Sequence, residues 1–180
     1  MTDANRQIHE ACLALERYRL ATYANVELSA FCRTEGVLHI KPMGECDIQR
    51  LHLGSGANIH AELYARFRSV GSILFVKPEW IGIASDAGWT LERSTYGYIP
   101  CFSDTVPCTE RVRTHVDSAD YPRELCDAVE SVLTVNKLPC AVLVRSRGAV
   151  ILANSPMEAA EYAITLEYAA KKAFHIRKLR

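Results

Sequence analysis

"AVLVRSRGAVILANSPMEAAEYAITLEYAA", Ala141 to Ala170, is the stretch that decides the fold. Ala141 to Val144 is a short apolar run that reads as a strand and ends at Arg145-Ser146-Arg147-Gly148. The glycine allows a tight turn, and a second strand follows. Ser155 then stands as an N-cap, with Pro156 at the first helical position and Glu158 three residues on, the pattern of a capping box. Met157, Ala160, Ile164, Glu167, Ala170 and Phe174 recur on one side of the long helix this predicts. Strand, turn, strand and helix in so short a span indicate an α/β fold whose sheet is at least partly antiparallel.

The rest of the chain repeats this mixture. Ile8, Cys12, Leu15 and Tyr18 mark an opening amphipathic helix. Residues 24–31 ("ANVELSAF") and 37–40 ("VLHI") form a predicted hairpin around Thr34-Glu35-Gly36, closed by "KPMG". A flexible loop, "LGSGA" (53–57), precedes a helix with the face Ile59, Leu63 and Phe67. "SILFV" (72–76) is a buried strand, and Pro78 suits the first turn of the helix after it. Strand and loop are expected in "RSTYGYIPCF" (93–102), and Pro122 opens a helix through Leu125, Val129 and Val132. With no linker or repeat, the reading is one domain over residues 1–180.

Composition narrows the function classes. Hydrophobic residues make up 49% and charged residues 23%, an ordinary globular mixture. The 21 basic and 21 acidic side chains cancel, which argues against nucleic acid or membrane as a partner. Lys171, Lys172, Arg177, Lys178 and Arg180 crowd the tail and are read as complementing a helix dipole. The N-terminus lacks the apolar stretch of a secretory signal. Seven cysteines without a C-x-x-C pair suggest neither a disulfide framework nor a zinc knuckle. Cys12, Cys126 and Cys140 fall on apolar faces as buried thiols, and a reduced, cytoplasmic protein is expected.

Five stretches carry a resemblance. They are Leu20-Ala21-Thr22-Tyr23-Ala24-Asn25-Val26, Ile40-Lys41-Pro42-Met43-Gly44, Ile59-His60-Ala61-Glu62-Leu63-Tyr64, Tyr96-Gly97-Tyr98-Ile99-Pro100-Cys101 and Ala141–Ala170 itself. In this order the chain resembles the class II aldolase and L-ribulose-5-phosphate 4-epimerase family, the aldolase–adducin head family. The resemblance implies a three-layer α/β/α fold with a central, mostly antiparallel sheet. It also implies a homo-oligomer, a tetramer by preference, with active sites between subunits. Compared with that family the chain looks shorter between Gly44 and His60, and it ends soon after the last helix.

The same resemblance implies a metal held by three histidines, and here the chain departs from it. The matching positions hold Phe75, Lys77 and Arg147, and the six histidines form no closely spaced pair. A guanidinium has no lone pair to offer a cation, so no metal and no cofactor are expected. The family's carboxylates align with Gly56 and Arg93. At the phosphate-binding positions Asn25, Lys41, Gly44 and Ser55 remain, but Ala24, Glu27 and Met43 depart, which argues against a sugar phosphate.

Two readings follow. In the first, Lys77, Arg93 and Arg147 form a basic pocket whose fixed charge stabilises an enolate or carboxylate. The chain is then a metal-independent lyase or isomerase on a small anionic, carboxylated metabolite. Candidate catalytic residues are Lys77, Arg147, Arg93 and His60, with Lys77 as cation, base or Schiff-base amine. Candidate substrate-binding residues are Asn25, Lys41, Gly44, Ser55 and Glu79. In the second reading the site is silent, Lys77 pairs with Glu79 and Arg147 with Glu167, and the chain is a binding or structural subunit. His60 on this view is a buried hydrogen-bonding residue, and Tyr96 and Tyr98 are packing residues.

Overall fold

The computed structural model describes residues 2–21, 26–52, 58–92, 105–133 and 137–179. Its centre is a six-stranded sheet in the order β3-β2-β1-β4-β8-β7. The strands are β1 (Val26–Cys32), β2 (Val37–Lys41), β3 (Gln49–His52), β4 (Ser72–Val76), β7 (Cys140–Val144) and β8 (Gly148–Ala153). Each neighbouring pair is antiparallel. The two-residue strands β5 (Leu91–Glu92) and β6 (Thr105–Val106) pair apart from it.

Alternation along the strands sorts side chains between two cores. Leu28, Leu74, Ala141, Leu143, Ala149 and Ile151 face one way, and Ile73, Val142, Val150 and Leu152 the other. The first face is covered by α1 (Asp3–Arg17), α3 (Glu79–Ala87) and α5 (Pro156–Lys178). The second is covered by α2 (Ile59–Arg66) and α4 (Tyr121–Val132). The result is the three-layer α/β/α arrangement that the sequence implied. β7 and β8 are buried along their whole length, which is why their sequence runs apolar instead of alternating.

The helices form for legible reasons. In α1, Ile8, Ala11, Cys12 and Leu15 follow the i, i+3, i+4, i+7 pattern and are buried. Burying Ile8 and Leu15 contributes about 1.5–3 kcal/mol each. In α5 the buried face is mostly alanine, including Ala159, Ala160, Ala163, Ala169 and Ala170, so the helix lies close to the sheet. Ser155 caps it by accepting from Glu158 N–H at 3.3 Å. The reciprocal bond of a capping box goes one residue further out, because Glu158 accepts from Asn154 N–H at 2.6 Å. Pro78 is the N-cap of α3 and offers it no side-chain bond. Glu167 of α5 takes that role, accepting from Trp80 N–H at 2.9 Å and Ile81 N–H at 2.8 Å. A carboxylate on the orphan donors of a helix start is favourable by hydrogen bonding and by the dipole. Burial raises the Glu167 pKa, and these two N–H groups offset part of that rise.

Cys12, Cys126 and Cys140 are buried free thiols, as expected. Burial pushes the Cys12 thiol up to about 11 and those of Cys126 and Cys140 up to about 12. Among the described residues no helix is long and apolar enough to cross a membrane. β3, with its mostly exposed side chains, has no counterpart in the sequence reading. Its order comes from the β2 ladder and not from a pattern of its own.

The turn between β7 and β8 depends on Gly148. Its φ is +100°, and a Cβ there would lie 2.4 Å from Val76 O and 2.7 Å from Lys77 Cβ. Gly36 also has a positive φ, +66°, but nothing lies within 4 Å of its missing Cβ. Gly148→Ala is therefore expected to cost about 3 kcal/mol or more of stability. Gly36→Ala should cost only about 1 kcal/mol. Urea unfolding of both variants measures this, and equal losses would contradict the close approach at Gly148.

Candidate functional site

A cavity of about 400 Å³ opens on the α2/α4 side of the sheet, where the ends of β1 and β4 meet the β7–β8 turn. Its charged walls are Glu27, Lys77 and Arg147, and its apolar walls include Phe75, Val76 and Leu125. Glu27 and Phe75 are partners across the β1–β4 ladder, so their side chains share one face of the sheet.

Glu27 is held from behind by His60. His60 is fully buried, and its Nε2 lies 3.1 Å from Glu27 Oε1, within ion-pair distance but off the line of a well-directed hydrogen bond. The Glu27 side chain is 26% exposed, so it also reaches the cavity. The other ring nitrogen of His60 lies 2.6 Å from Ser29 Oγ, which is 3.0 Å from Tyr64 Oη. Ser29, His60 and Tyr64 are all buried, so the polar row runs from the cavity wall into the core. Phe75 packs against His60, ring centres 5.1 Å apart and planes tilted by 56°, and it also lines the cavity. Burial alone would raise the Glu27 pKa. The His60 ring, the Met43 N–H and Lys41 outweigh burial and hold it below the ordinary carboxylate value.

Lys77 follows β4. Its Nζ donates to Asp86 Oδ1 at 2.9 Å and to Ser146 O at 3.0 Å, so it pairs with Asp86 of α3 and not with Glu79, the partner the sequence suggested. Arg147 sits in the β7–β8 turn, with its backbone N–H on Val144 O at 2.8 Å. Its guanidinium lies over the Tyr121 ring, 5.4 Å from the centroid. No carboxylate pairs with Arg147 among the described residues; Glu167, its expected partner, caps α3 instead. Lys77 and Arg147 thus line one cavity, the positions that the family resemblance placed together.

Other candidates are placed elsewhere. His60 is behind the cavity wall and not in it. Lys41 lines a separate cavity with Cys12 and Ile48. Glu79 lines another surface cavity with Trp80 and Tyr168. Gly44, with φ +77°, lies in the turn after β2, next to Met43 of the cavity wall. Arg93, Asn25 and Ser55, like Tyr96 and Tyr98, lie outside the described residues. Glu27 enters the sequence reading as an obstacle to phosphate, not as a site residue. The available signal is its position two residues before Ser29 on a strand whose other side is apolar.

The sequence model of the Class II Aldolase and Adducin N-terminal domain matches residues 46–174. The chain belongs to that family. An L-fuculose 1-phosphate aldolase structure superposes with a TM-score of 0.79 at 18% identity, covering 99% of this chain and 88% of that one. YgbL from Klebsiella pneumoniae gives 0.71 at 18% identity, covering 96% of this chain and 88% of its own. L-fuculose-1-phosphate aldolase from Thermus thermophilus gives 0.70 at 15%, covering 98% of this chain and 96% of its own. Identities this low speak to the fold, and the fold agrees.

The direction of the Glu27 shift fixes a pH dependence. Its folded pKa is depressed, so its contribution to stability is fully present above the ordinary glutamate value. It is lost as pH falls through the lower folded value. His60→Gln should move the Glu27 titration upward in carboxyl-carbon NMR and shift the onset of acid unfolding to higher pH. A Glu27 titration unchanged by the substitution would contradict the contact.

Proposed function

We propose that the chain is a metal-independent lyase or isomerase acting on a small carboxylated metabolite in the cavity between Glu27, Lys77 and Arg147. The observation that carries the reading is Arg147, a guanidinium at an open cavity with no carboxylate partner among the described residues. Its fork is suited to a bidentate pair with a substrate carboxylate.

The donor set does not fit a resident divalent metal. Glu27 is the one carboxylate among the described lining residues, and two of the others, Lys77 and Arg147, are cations. No group of three or more His, Cys, Asp or Glu side chains able to hold a metal occurs among the described residues, whereas a catalytic site takes about three protein ligands.

In the proposed step Arg147 orients the carboxylate, and Glu27 takes a proton from the adjacent carbon. The C–H bond breaks, its electron pair enters the enolate, and the proton rests on the Glu27 carboxyl. A carboxylate held below its ordinary pKa is a weak base. The enolate therefore relies on the nearby charges of Lys77 and Arg147. His60 is a positioning residue that fixes the Glu27 carboxylate.

The alternative is a catalytically silent member serving as a binding or structural subunit. The Lys77–Asp86 pair and Phe75 in the cavity wall favour it. Under either reading a homo-oligomer, a tetramer by preference, is proposed. Tyr18 and Tyr168, 60% and 67% exposed beside Trp80, are the surface that supports it. Light scattering at the mass of one 20.1 kDa chain would remove that part.

The experiment for the pocket is calorimetry with small monocarboxylates. Arg147→Ala should weaken binding by about 1.5–3 kcal/mol, the range for a charge-assisted hydrogen bond, with the circular dichroism spectrum unchanged. A wild type that binds no carboxylate, or an Arg147→Ala protein that binds as well, overturns the basic-pocket reading and leaves the silent subunit.

A further inference from the structure

A second cleft shares Arg147 with this cavity and is lined mainly by cations. It begins where residues 107–109 run parallel to β7. Thr109 N–H donates to Leu143 O and Leu143 N–H to Pro107 O, both at 2.8 Å. Arg145 N–H adds a bond to Thr109 Oγ1 at 3.2 Å. These bonds carry the following residues past the β7–β8 turn. Val112 packs on the α2/α4 core, and Thr114 donates to Glu124, which fixes alternate residues inward. Arg111, Arg113 and His115 are left exposed. Across from them stand Arg145 and Arg147, and the cleft encloses about 690 Å³.

No acidic side chain lines this cleft among the described residues. Two carboxylates close in sequence are engaged, Asp117 with His115 at 3.2 Å and Glu124 with Thr114. Glu110 is exposed and alternates with Arg111 along the chain. None of Arg111, Arg113, Arg145 and Arg147 has an ion-pair partner among the described residues. Two of the four are held in place. Arg147 lies over Tyr121, and Arg145 lies against the bare α-carbon of Gly88, where a Cβ would come within 1.8 Å of its Nη1. Four like charges on two chain segments repel one another unless anions sit among them. They are spread across a wide cleft and not gathered at a helix start or glycine loop that would cradle one phosphoryl group. The spread suits several separated carboxylates, each taken by a planar fork.

We infer that this cleft binds the second anionic end of the ligand whose first carboxylate sits at Arg147, so the ligand is a small molecule with two or more carboxylates. The inference rests on the proposed carboxylate pocket, and the two fail differently. The test is calorimetry of the full chain with propionate, succinate, tricarballylate and inorganic diphosphate. Wild type, Arg147→Ala and an Arg111→Ser/Arg113→Ser double variant are compared, with circular dichroism confirming the fold of each. Succinate and tricarballylate should bind about tenfold or more tighter than propionate, the effect of one added charge-assisted pair. The double variant should lose that gain and keep its propionate affinity, and Arg147→Ala should weaken all three carboxylates. If propionate binds but the larger acids bind no tighter, or the double variant keeps the gain, this inference is wrong and the pocket stands. If the larger acids bind through Arg111 and Arg113 while Arg147→Ala changes nothing, the pocket reading is wrong and the cleft is an anion site of its own. Diphosphate binding tighter than tricarballylate overturns the polycarboxylate assignment in favour of a phosphoryl group.

Discussion

No side chain fits on residue 148, because the β7–β8 turn is pressed against the end of β4 at Val76 and Lys77. Three further bonds fasten the turn there. Ser146 N–H donates to Ser85 O at 3.2 Å, Gly148 N–H to Ser85 Oγ at 3.1 Å, and Lys77 Nζ to Ser146 O at 3.0 Å. Strand β4, helix α3 and the turn thus become one rigid unit. Arg145 and Arg147 lie on either side of Ser146, and each lines the Arg111/Arg113 cleft, while Arg147 alone also reaches the Glu27 cavity. The placement of Lys77, Arg145 and Arg147 follows from that contact.

The opposite wall is fixed by a different device. Glu27 and Ser29 both meet α2 through His60, which lays one ring nitrogen against each. A carboxylate at a cavity edge ordinarily turns toward water. Here a fully buried imidazole, with Phe75 packed against it, lies at ion-pair distance from the carboxylate, Nε2 to Oε1 3.1 Å, and draws it inward. Stability of the core and placement of the Glu27 charge are therefore linked, so a substitution at His60 changes the pocket without touching it.

Local pattern made much of the fold legible. The apolar run 141–144, the glycine turn and the Ser155-Pro156 start specify β7, β8 and α5 from neighbouring residues alone. The hairpin at Gly36 and the α1 stripe are equally local. What could not be read depends on residues distant in sequence. β3 is a polar, exposed strand whose order comes from β2. Lys77 finds Asp86 and not Glu79 because its side chain runs along α3, past Gly82, to the far end of that helix. Glu167 serves a helix start more than eighty residues away. For the site, proximity of Lys77 to Arg147 came from the family resemblance. The Glu27–His60 contact and the gathering of Arg111 and Arg113 beside Arg145 need the sheet register, and no periodicity announces them.

On the proposed reading the charges that act on a ligand are those of Glu27, Lys77 and Arg147, with no metal among them. A metal count tests this most directly. Protein purified without chelator and exchanged into metal-free buffer is measured by plasma mass spectrometry, and its melting temperature is followed with added zinc or manganese. The account predicts no stoichiometric divalent metal and no change in melting. One tightly bound ion per chain, removed by chelator with loss of stability or of carboxylate binding, would contradict it.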